Sequence, residues 1–246
     1  MAHSPKKIIK SKNIQPIENR NRSLSEKEEE ILEYIGKNYE NYQEKSIKRL
    51  DLASILQCSP ALVNKLLKSL EKKGLIIHER YGEIKLTIKG KEISNTLIRR
   101  HRLAEALFVD ILGLNASDAH EFACKFEHIL DDQIANRIEE VLKNPNVCPH
   151  GNPIPSKGKN EDLIKNFPLN SFAPNEILRV SRILDEKSDL LRKLSQVGIE
   201  VGTEIKFIEK SPLDGTLLIE IDGKKVPIGE EIAKNLQCVL VSKRQV

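Results

Sequence analysis

The sequence predicts a mainly α-helical protein with small β parts, arranged as a helical module closed by a hairpin, a central helical stretch and a small β-barrel. Three observations carry this. Apolar residues recur at helical spacing behind recognisable caps up to about residue 143, six of the eleven prolines fall between 144 and 174, and from Glu176 onward the pattern changes to short β-prone runs.

Residues 1–22 precede the first of these elements and carry Lys6, Lys7, Lys10, Lys12, Arg20 and Arg22 against Glu18 alone. The segment reads as a basic, flexible arm suited to phosphate contact or simply to solubility. Ser25-Glu26-Lys27-Glu28 is a capping box, and Ile31, Leu32 and Ile35 give the helix behind it an apolar stripe. Residues 36–46 are polar and tyrosine-rich. Ile47 to Leu56 then forms a short amphipathic helix with Leu52, Ala53 and Leu56 inward. Ser59-Pro60 starts a third helix, because serine caps free N–H groups and proline at the first helical position gives up only an unpaired donor. Val63, Leu66, Leu67 and Leu70 form its buried side, leaving Ala61, Asn64, Lys65, Lys68 and Lys72 on other faces. Leu75–His78 and Ile84–Thr87, joined near Tyr81-Gly82, make a hairpin. Helix, helix, capped helix and hairpin together are a winged helix-turn-helix.

Residues 89–143 read as three helices, the first ending near Gly113, the second spanning about Ala116–Leu130 and the third about Gln133–Lys143 before Asn144-Pro145. Beyond the proline-rich stretch come five β-prone runs: Ile177–Val180, Glu204–Ile208, Leu217–Ile221, Lys225–Ile228 and Val239–Val241. Asp222-Gly223 is a hairpin turn, and a single helix, about Asp189–Val197, is closed by Gly198. The divisions that follow are a basic arm (1–22), a winged helix-turn-helix (23–94), a helical unit (95–155), a linker (156–174) and a β-barrel (175–246).

Composition narrows the function. With 39% hydrophobic and 31% charged residues, no long apolar run and a net charge of +4, the chain has no reason to enter a membrane. Four cysteines, Cys58, Cys124, Cys148 and Cys238, form no CxxC pair and no secretion signal is visible, so a reducing, cytoplasmic compartment is expected. Cys58 and Cys238 read as buried apolar residues, His78 as a strand-edge residue and His3 as part of the arm.

The chemistry concentrates on the central helices. His101 and Glu105 share a helix face, and His120, Cys124, Glu127 and His128 form one stripe on the next helix. Imidazole, thiolate and carboxylate suit a first-row transition metal, and the thiolate speaks against calcium or magnesium. Three of the six histidines lie on these two helices, with more donors than one ion needs, so two neighbouring sites are expected. A hydrolytic metal centre is the competing use of such donors, but no HExxH motif, nucleophile elbow or phosphate-cradling glycine loop accompanies them.

Three stretches, Arg100-His101-Arg102-Leu103-Ala104-Glu105, Cys124-Lys125-Phe126-Glu127-His128 and Cys148-Pro149-His150-Gly151-Asn152-Pro153-Ile154-Pro155, make the chain resemble the diphtheria toxin repressor family of metal-dependent regulators. The resemblance spans about residues 25–242. It implies a winged helix-turn-helix, a helical dimerisation and metal-binding domain and a C-terminal SH3-like β-barrel. It also implies a homodimer that binds Mn(II) or Fe(II), with Co(II), Ni(II) or Zn(II) acceptable in vitro, and then represses metal-uptake genes at double-stranded operator DNA. An ancillary site would take His101, Glu105 and His120, with Glu186 and Asp189 from the barrel. A primary site would take Cys124, Glu127 and His128 with a residue near the start of the first helix. That residue is methionine in iron-type members and aspartate in manganese-type members, whereas Glu28-Glu29-Glu30 stands here. Aligning Ile31-Leu32-Glu33-Tyr34-Ile35 with the family's helix selects Glu30, with Glu29 as the alternative. An anion pocket would use Arg102 and Asn152, with Cys148 where iron-type members carry serine.

On this reading Ser59, Ala61, Asn64, Lys65 and Lys68 face DNA, with Asn64 reading a base, and the chain has neither enzyme activity nor a small-molecule substrate. The principal alternative is a metal-binding accessory protein of iron or manganese transport without DNA binding, since SH3-like barrels of this kind also occur there.

Overall fold

The computed structural model describes residues 23–42, 47–78, 83–155 and 166–243. The basic arm with His3, the hairpin tip at Tyr81-Gly82 and most of the proposed linker lie outside the described residues.

Helix α1 spans Glu26–Tyr42. Its start is the predicted box: the Ser25 N–H donates to Glu28 Oε2 at 2.8 Å, and Glu28 is further held by Lys73 Nζ at 2.7 Å. The polar residues from Gly36 to Tyr42 continue the helix. Gly36 lets a later helix pack close against it, because a Cβ there would lie 2.0 Å from Ser94 Oγ on that helix. Ser94 uses the gap to donate to the Leu32 carbonyl at 2.8 Å.

Helices α2 (Arg49–Ile55) and α3 (Pro60–Lys72) follow, the latter capped by Ser59 Oγ accepting from the Leu62 N–H at 3.2 Å. Strands β1 (Ile76–His78) and β2 (Ile84–Leu86) pair antiparallel. Ile31, Leu32, Ile35, Leu52, Val63, Leu67, Leu70 and Ile84 form the core of this unit. Each such side chain, fully withdrawn from water, contributes roughly 1.5–3 kcal/mol.

Helix α4 (Ile88–Ala106) runs unbroken through the boundary placed at 94/95 and continues as a π-helical turn, Leu107–Ile111. Helices α5 (Ala116–Phe126) and α6 (Asp132–Val141) are capped by Asn115 and Asp131. The loop that follows docks on the C-terminal unit: Gly151, at φ +76, has no room for a Cβ, which would sit 2.1 Å from the Ser181 carbonyl oxygen.

The C-terminal unit begins earlier than expected. Strand β3 (Phe167–Pro168) and the 3-10 turn Leu169–Ser171 fall in the stretch read as linker, yet Leu169 is wholly buried in the barrel core. Strands β4 (Glu176–Ile183), β5 (Glu204–Lys210), β6 (Leu217–Ile221), β7 (Lys224–Ile228) and β8 (Leu236–Lys243) complete a six-stranded antiparallel sheet in the order β3-β8-β4-β5-β6-β7. Helix α7 (Ser188–Gln196) and a short α8 (Glu230–Asn235) cover it. Positive φ at both Asp222 and Gly223 gives the β6–β7 turn that the Asp-Gly pair predicts. The fold is mainly helical: a winged helix-turn-helix, a helical middle domain and an SH3-like barrel.

Candidate metal centre

The predicted donors on α4 and α5 converge. His101 Nε2 lies 3.0 Å from Glu105 Oε1 and 3.2 Å from His120 Nδ1, while His120 Nδ1 is 2.8 Å from Glu105 Oε1. On its other side His101 Nδ1 contacts Glu127 Oε2 at 2.5 Å. Cys124 Sγ reaches His120 Nε2 at 3.6 Å. His101, Glu105 and Glu127 are buried, whereas Cys124 is exposed.

Helix α1 supplies three carboxylates. Glu29 Oε2 meets His128 Nδ1 at 2.7 Å, and His128 Nε2 then faces Glu127 Oε1 at 3.6 Å. Glu33 Oε1 lies 3.6 Å from His101 Nδ1, and the ligating atoms of Glu33, His101 and Glu127 all lie within 4.8 Å of one another. Glu30 is paired with Lys27 at 2.8 Å, yet it lines the same cleft of about 750 Å³ as Glu33, His101, His120, Cys124 and Glu127. The carboxylate in contact with His128 is therefore Glu29, while Glu30 is one of those facing the cleft. Glu33 carries no signal of its own in the sequence, because a Glu on an amphipathic helix ordinarily faces solvent.

A second group joins Glu105, Cys148, His150 and Glu186. His150 comes from the Gly151 loop and places Nδ1 3.2 Å from Glu105 Oε1. The motif from Cys148 to Pro155 could have pointed to it. Glu186 follows β4 and lies in a group with His101, Glu105 and His120. Asp189 does not: its side chain is 89% exposed in the first turn of α7 and 3.7 Å from Arg192, where it favours the helix dipole instead.

Electrostatics show a site held together by protons. Burial opposes charging His120, but hydrogen bonds to Cys124 and Glu105 outweigh it and push its pKa up to about 9. Burial and the neighbouring Glu33 carboxylate push Glu127 up to about 8. Burial raises the Cys124 thiol, and the His120 hydrogen bond more than reverses this, leaving it below its ordinary value. Among the described residues Glu105 Oε2 and His150 Nε2 are buried without a hydrogen-bond partner. Nitrogen, oxygen and sulfur donors so close together, some unsatisfied, fit a divalent transition metal, which supplies the positive charge that these protons now provide.

The expected anion pocket is crowded by the protein's own groups. Arg102 is fully buried and donates to Glu40 Oε2 at 2.8 Å and to the Pro153 carbonyl. Asn152 is committed at both ends: its amide N–H groups donate to the Ile183 carbonyl at 3.0 Å and to Glu186 Oε1 at 2.5 Å, and its oxygen accepts from Arg182. Glu40 also accepts from Arg182 at 2.5 Å, so an internal carboxylate meets both cations. Of Arg102, Asn152 and Arg182, only Arg102 keeps buried donors, Nε and one terminal nitrogen, that lack partners among the described residues.

On α3, Ala61, Lys65 and Lys68 are exposed, Ser59 is spent as the cap, and Asn64 accepts from Arg49 at 3.1 Å. His78 belongs to β1, as its strand reading required, and Cys238 is buried in the barrel core.

Comparison with known proteins places this arrangement. The profile described as iron dependent repressor, metal binding and dimerisation domain matches residues 87–156, the FeoA domain matches 167–240, and a helix-turn-helix domain of the rpiR family matches 12–95. The diphtheria toxin repressor of Corynebacterium diphtheriae is 27% identical over 199 residues, 77% of this chain and 87% of its own. The iron-dependent repressor IdeR of Mycobacterium leprae is 28% identical over 197 residues, covering 75% and 85%. Among solved structures, the manganese regulator SloR superposes with a TM-score of 0.75 at 26% identity, covering 87% of this chain and 98% of that one. A manganese-dependent transcriptional repressor in complex with manganese gives 0.78 at 25% identity, covering 87% and 100%. Family matches along all three units, and repressors alike over about three quarters of the chain, lead to one conclusion: the chain belongs to the diphtheria toxin repressor family of metal-dependent repressors.

Proposed function

We propose that this protein is a DNA-binding transcriptional repressor that responds to Mn(II) or Fe(II) and controls metal-ion homeostasis. The observation that carries the reading is that carboxylates of α1, part of the DNA-binding unit, meet the histidines and Glu127 of the central helices, at 2.7 Å for Glu29 and His128. A divalent ion, when bound, supplies a compact double charge in place of the protons now shared there.

Cys124, Glu127 and His128, with Glu30 and Glu33 from α1, are the residues we assign to the primary site. His101, Glu105 and His120, with Glu186, are assigned to the ancillary one. Glu29 acts one step out, orienting His128 through Nδ1 so that Nε2 faces inward, as carboxylates commonly do for ligating histidines. Because α1 packs on α4 at Gly36 and its apolar stripe joins α3 in one core, gathering the α1 carboxylates fixes the attitude of α3. Such a gathering shifts the protein toward DNA binding only by the difference in ion affinity between the two arrangements.

Carboxylates and a cysteine occur together among this chain's candidate donors. Carboxylates from α1 harden the primary site toward Mn(II), while Cys124 keeps it competent for Fe(II), and Co(II), Ni(II) or Zn(II) suit the same donors in vitro. Ile111, Leu112 and Phe122 of the middle domain are each more than half exposed, and a second copy covering them would withdraw them from water, in keeping with a homodimer. No helix among the described residues is long and apolar enough to cross a membrane, and we assign a cytoplasmic regulator without enzyme activity.

A transport accessory role would draw on the barrel, which matches the FeoA domain, but would leave the capped and basic α3 without a task. Titrating promoter DNA with the protein, with and without Mn(II), separates the two: a metal-dependent shift supports repression, and metal binding without any DNA binding supports the accessory role.

A further inference from the structure

Lys37 stands between the two ligand groups. Its Nζ is 2.9 Å from Glu33 Oε1 and 2.8 Å from Glu186 Oε2, with the side chain only 17% exposed. Glu33 is grouped with His101 and Glu127, whereas Glu186 is grouped with His101, Glu105 and His120 and again with Glu105, Cys148 and His150. One ammonium is thus shared by two carboxylates that belong to different candidate sites. It also bridges the DNA-binding unit to the barrel, since Lys37 lies on α1 and Glu186 follows β4.

A carboxylate oxygen cannot hold an ammonium and a divalent ion at the same contact. The metal-free cluster needs a cation, because leaving Glu33 and Glu186 buried and unpaired would be strongly unfavourable. Burial opposes the charge on Lys37, but Glu186, Glu33 and Glu105 outweigh it and hold its pKa well above the ordinary value. The displaced side chain also has somewhere to go: Lys37 lines the cleft of about 750 Å³, whose walls include Asn38, Asn41, Asp185 and Lys187.

We propose that Lys37 is a built-in competitor for the metal sites, bridging Glu33 and Glu186 in the metal-free protein and coupling the two sites through its release. This rests on the metal-sensing reading and goes beyond it. Binding at either site must free Lys37 from the bridge, so the first ion bears the cost of expulsion and the second finds its carboxylate already released. The sites then fill with positive cooperativity, because both are linked to the same two-state side chain. Lys37 is a positioning residue here, not a ligand.

The test is an anaerobic calorimetric titration of the full-length protein with Mn(II) for wild type, Lys37→Met and Lys37→Arg. Wild type should take up two ions per protomer cooperatively. Lys37→Met should bind the first ion about tenfold more tightly and lose the cooperativity, in the range expected for such coupling. Lys37→Arg, which keeps the charge, should retain it. A Lys37→Met isotherm that superposes on wild type overturns the proposal while leaving metal sensing intact. Uptake of one ion overturns the two-site coupling, and uptake of none overturns both readings.

Amine acetylation of the wild-type protein, read by peptide mass spectrometry, decides the matter should Lys37→Met fail to fold. Lys37 should be protected in chelator and react about tenfold faster at saturating Mn(II), again the scale of a modest coupling, while exposed Lys65 stays unchanged. Protection of Lys37 that persists at saturation overturns the proposal.

Discussion

Glu29 and His128, ninety-nine residues apart in sequence, are 2.7 Å apart in space and tie the first helix of the DNA-binding unit to the turn after α5. With Nδ1 engaged by Glu29, the other ring nitrogen of His128 is aimed at Glu127. Loss of such an orienting carboxylate weakens metal binding roughly 10- to 100-fold without removing a ligand. Glu29→Gln should therefore lower Mn(II) affinity by that amount while X-ray absorption of the loaded protein shows unchanged coordination. Glu30→Ala should instead remove an oxygen ligand. Loss of coordination in the Glu29 variant would reverse these roles.

The metal-free protein and its metal affinity should respond to pH with opposite signs. His120 has a folded pKa of about 9 against an ordinary 6.5, so its contribution to stability is complete below pH 6.5 and is lost as the pH rises through about 9. Glu127, at about 8 against 4.5, acts in the same direction over a lower window. Metal binding needs both deprotonated and strengthens as these protons leave. Thermal unfolding in chelator should show a Tm falling from pH 6.5 toward 9, while Mn(II) affinity rises across the same interval. Parallel trends would contradict the assignment.

Gly36 and Ser94 set the distance between α1 and α4. A methyl group at Gly36 would lie 2.0 Å from Ser94 Oγ, so Gly36→Ala must push the helices apart or expel the hydroxyl from its bond to Leu32. Overpacking of this kind costs about 1–3 kcal/mol. Chemical denaturation should show that loss, with partial recovery in Gly36→Ala/Ser94→Ala. Wild-type stability in the single variant would mean that the contact is soft.

On α3, exposed Lys65 and half-buried Asn64 should separate charge from sequence reading. Lys65→Ala should weaken operator and nonspecific DNA alike and reduce the salt slope by about 1. Asn64→Ala should lose roughly 1–3 kcal/mol of discrimination at one base pair. Equal, salt-insensitive effects in both variants would remove α3 from the groove.

Much of this was legible in the sequence because the informative signals are local. Ser25 with Glu28, Ser59 with Pro60, and Asp222 with Gly223 fix their helix starts and turn through contacts a few residues long. The donors on α4 and α5 were visible for the same reason, since helical spacing alone places His101 beside Glu105 and His120 beside Cys124. What was hidden depends on close approach between distant segments. Glu33 and Lys37 look like an ordinary i,i+4 pair on a solvated face until α4 and Glu186 are packed over them. Likewise His150 enters the cluster only because Gly151 lets its loop press on β4, and Asp189, well spaced in sequence, points away because α7 turns it to solvent.

DNA binding by this protein waits on metal. Fluorescence anisotropy of the protein on its own promoter, after thorough chelation and then with added Mn(II) or Fe(II), tests it most directly. Adding metal should raise the affinity at least about tenfold, or roughly 1.4 kcal/mol, with no gain once Cys124, Glu127 and His128 are all replaced by alanine. Equally tight binding by the chelated protein, or an undiminished metal response in the triple variant, would contradict it.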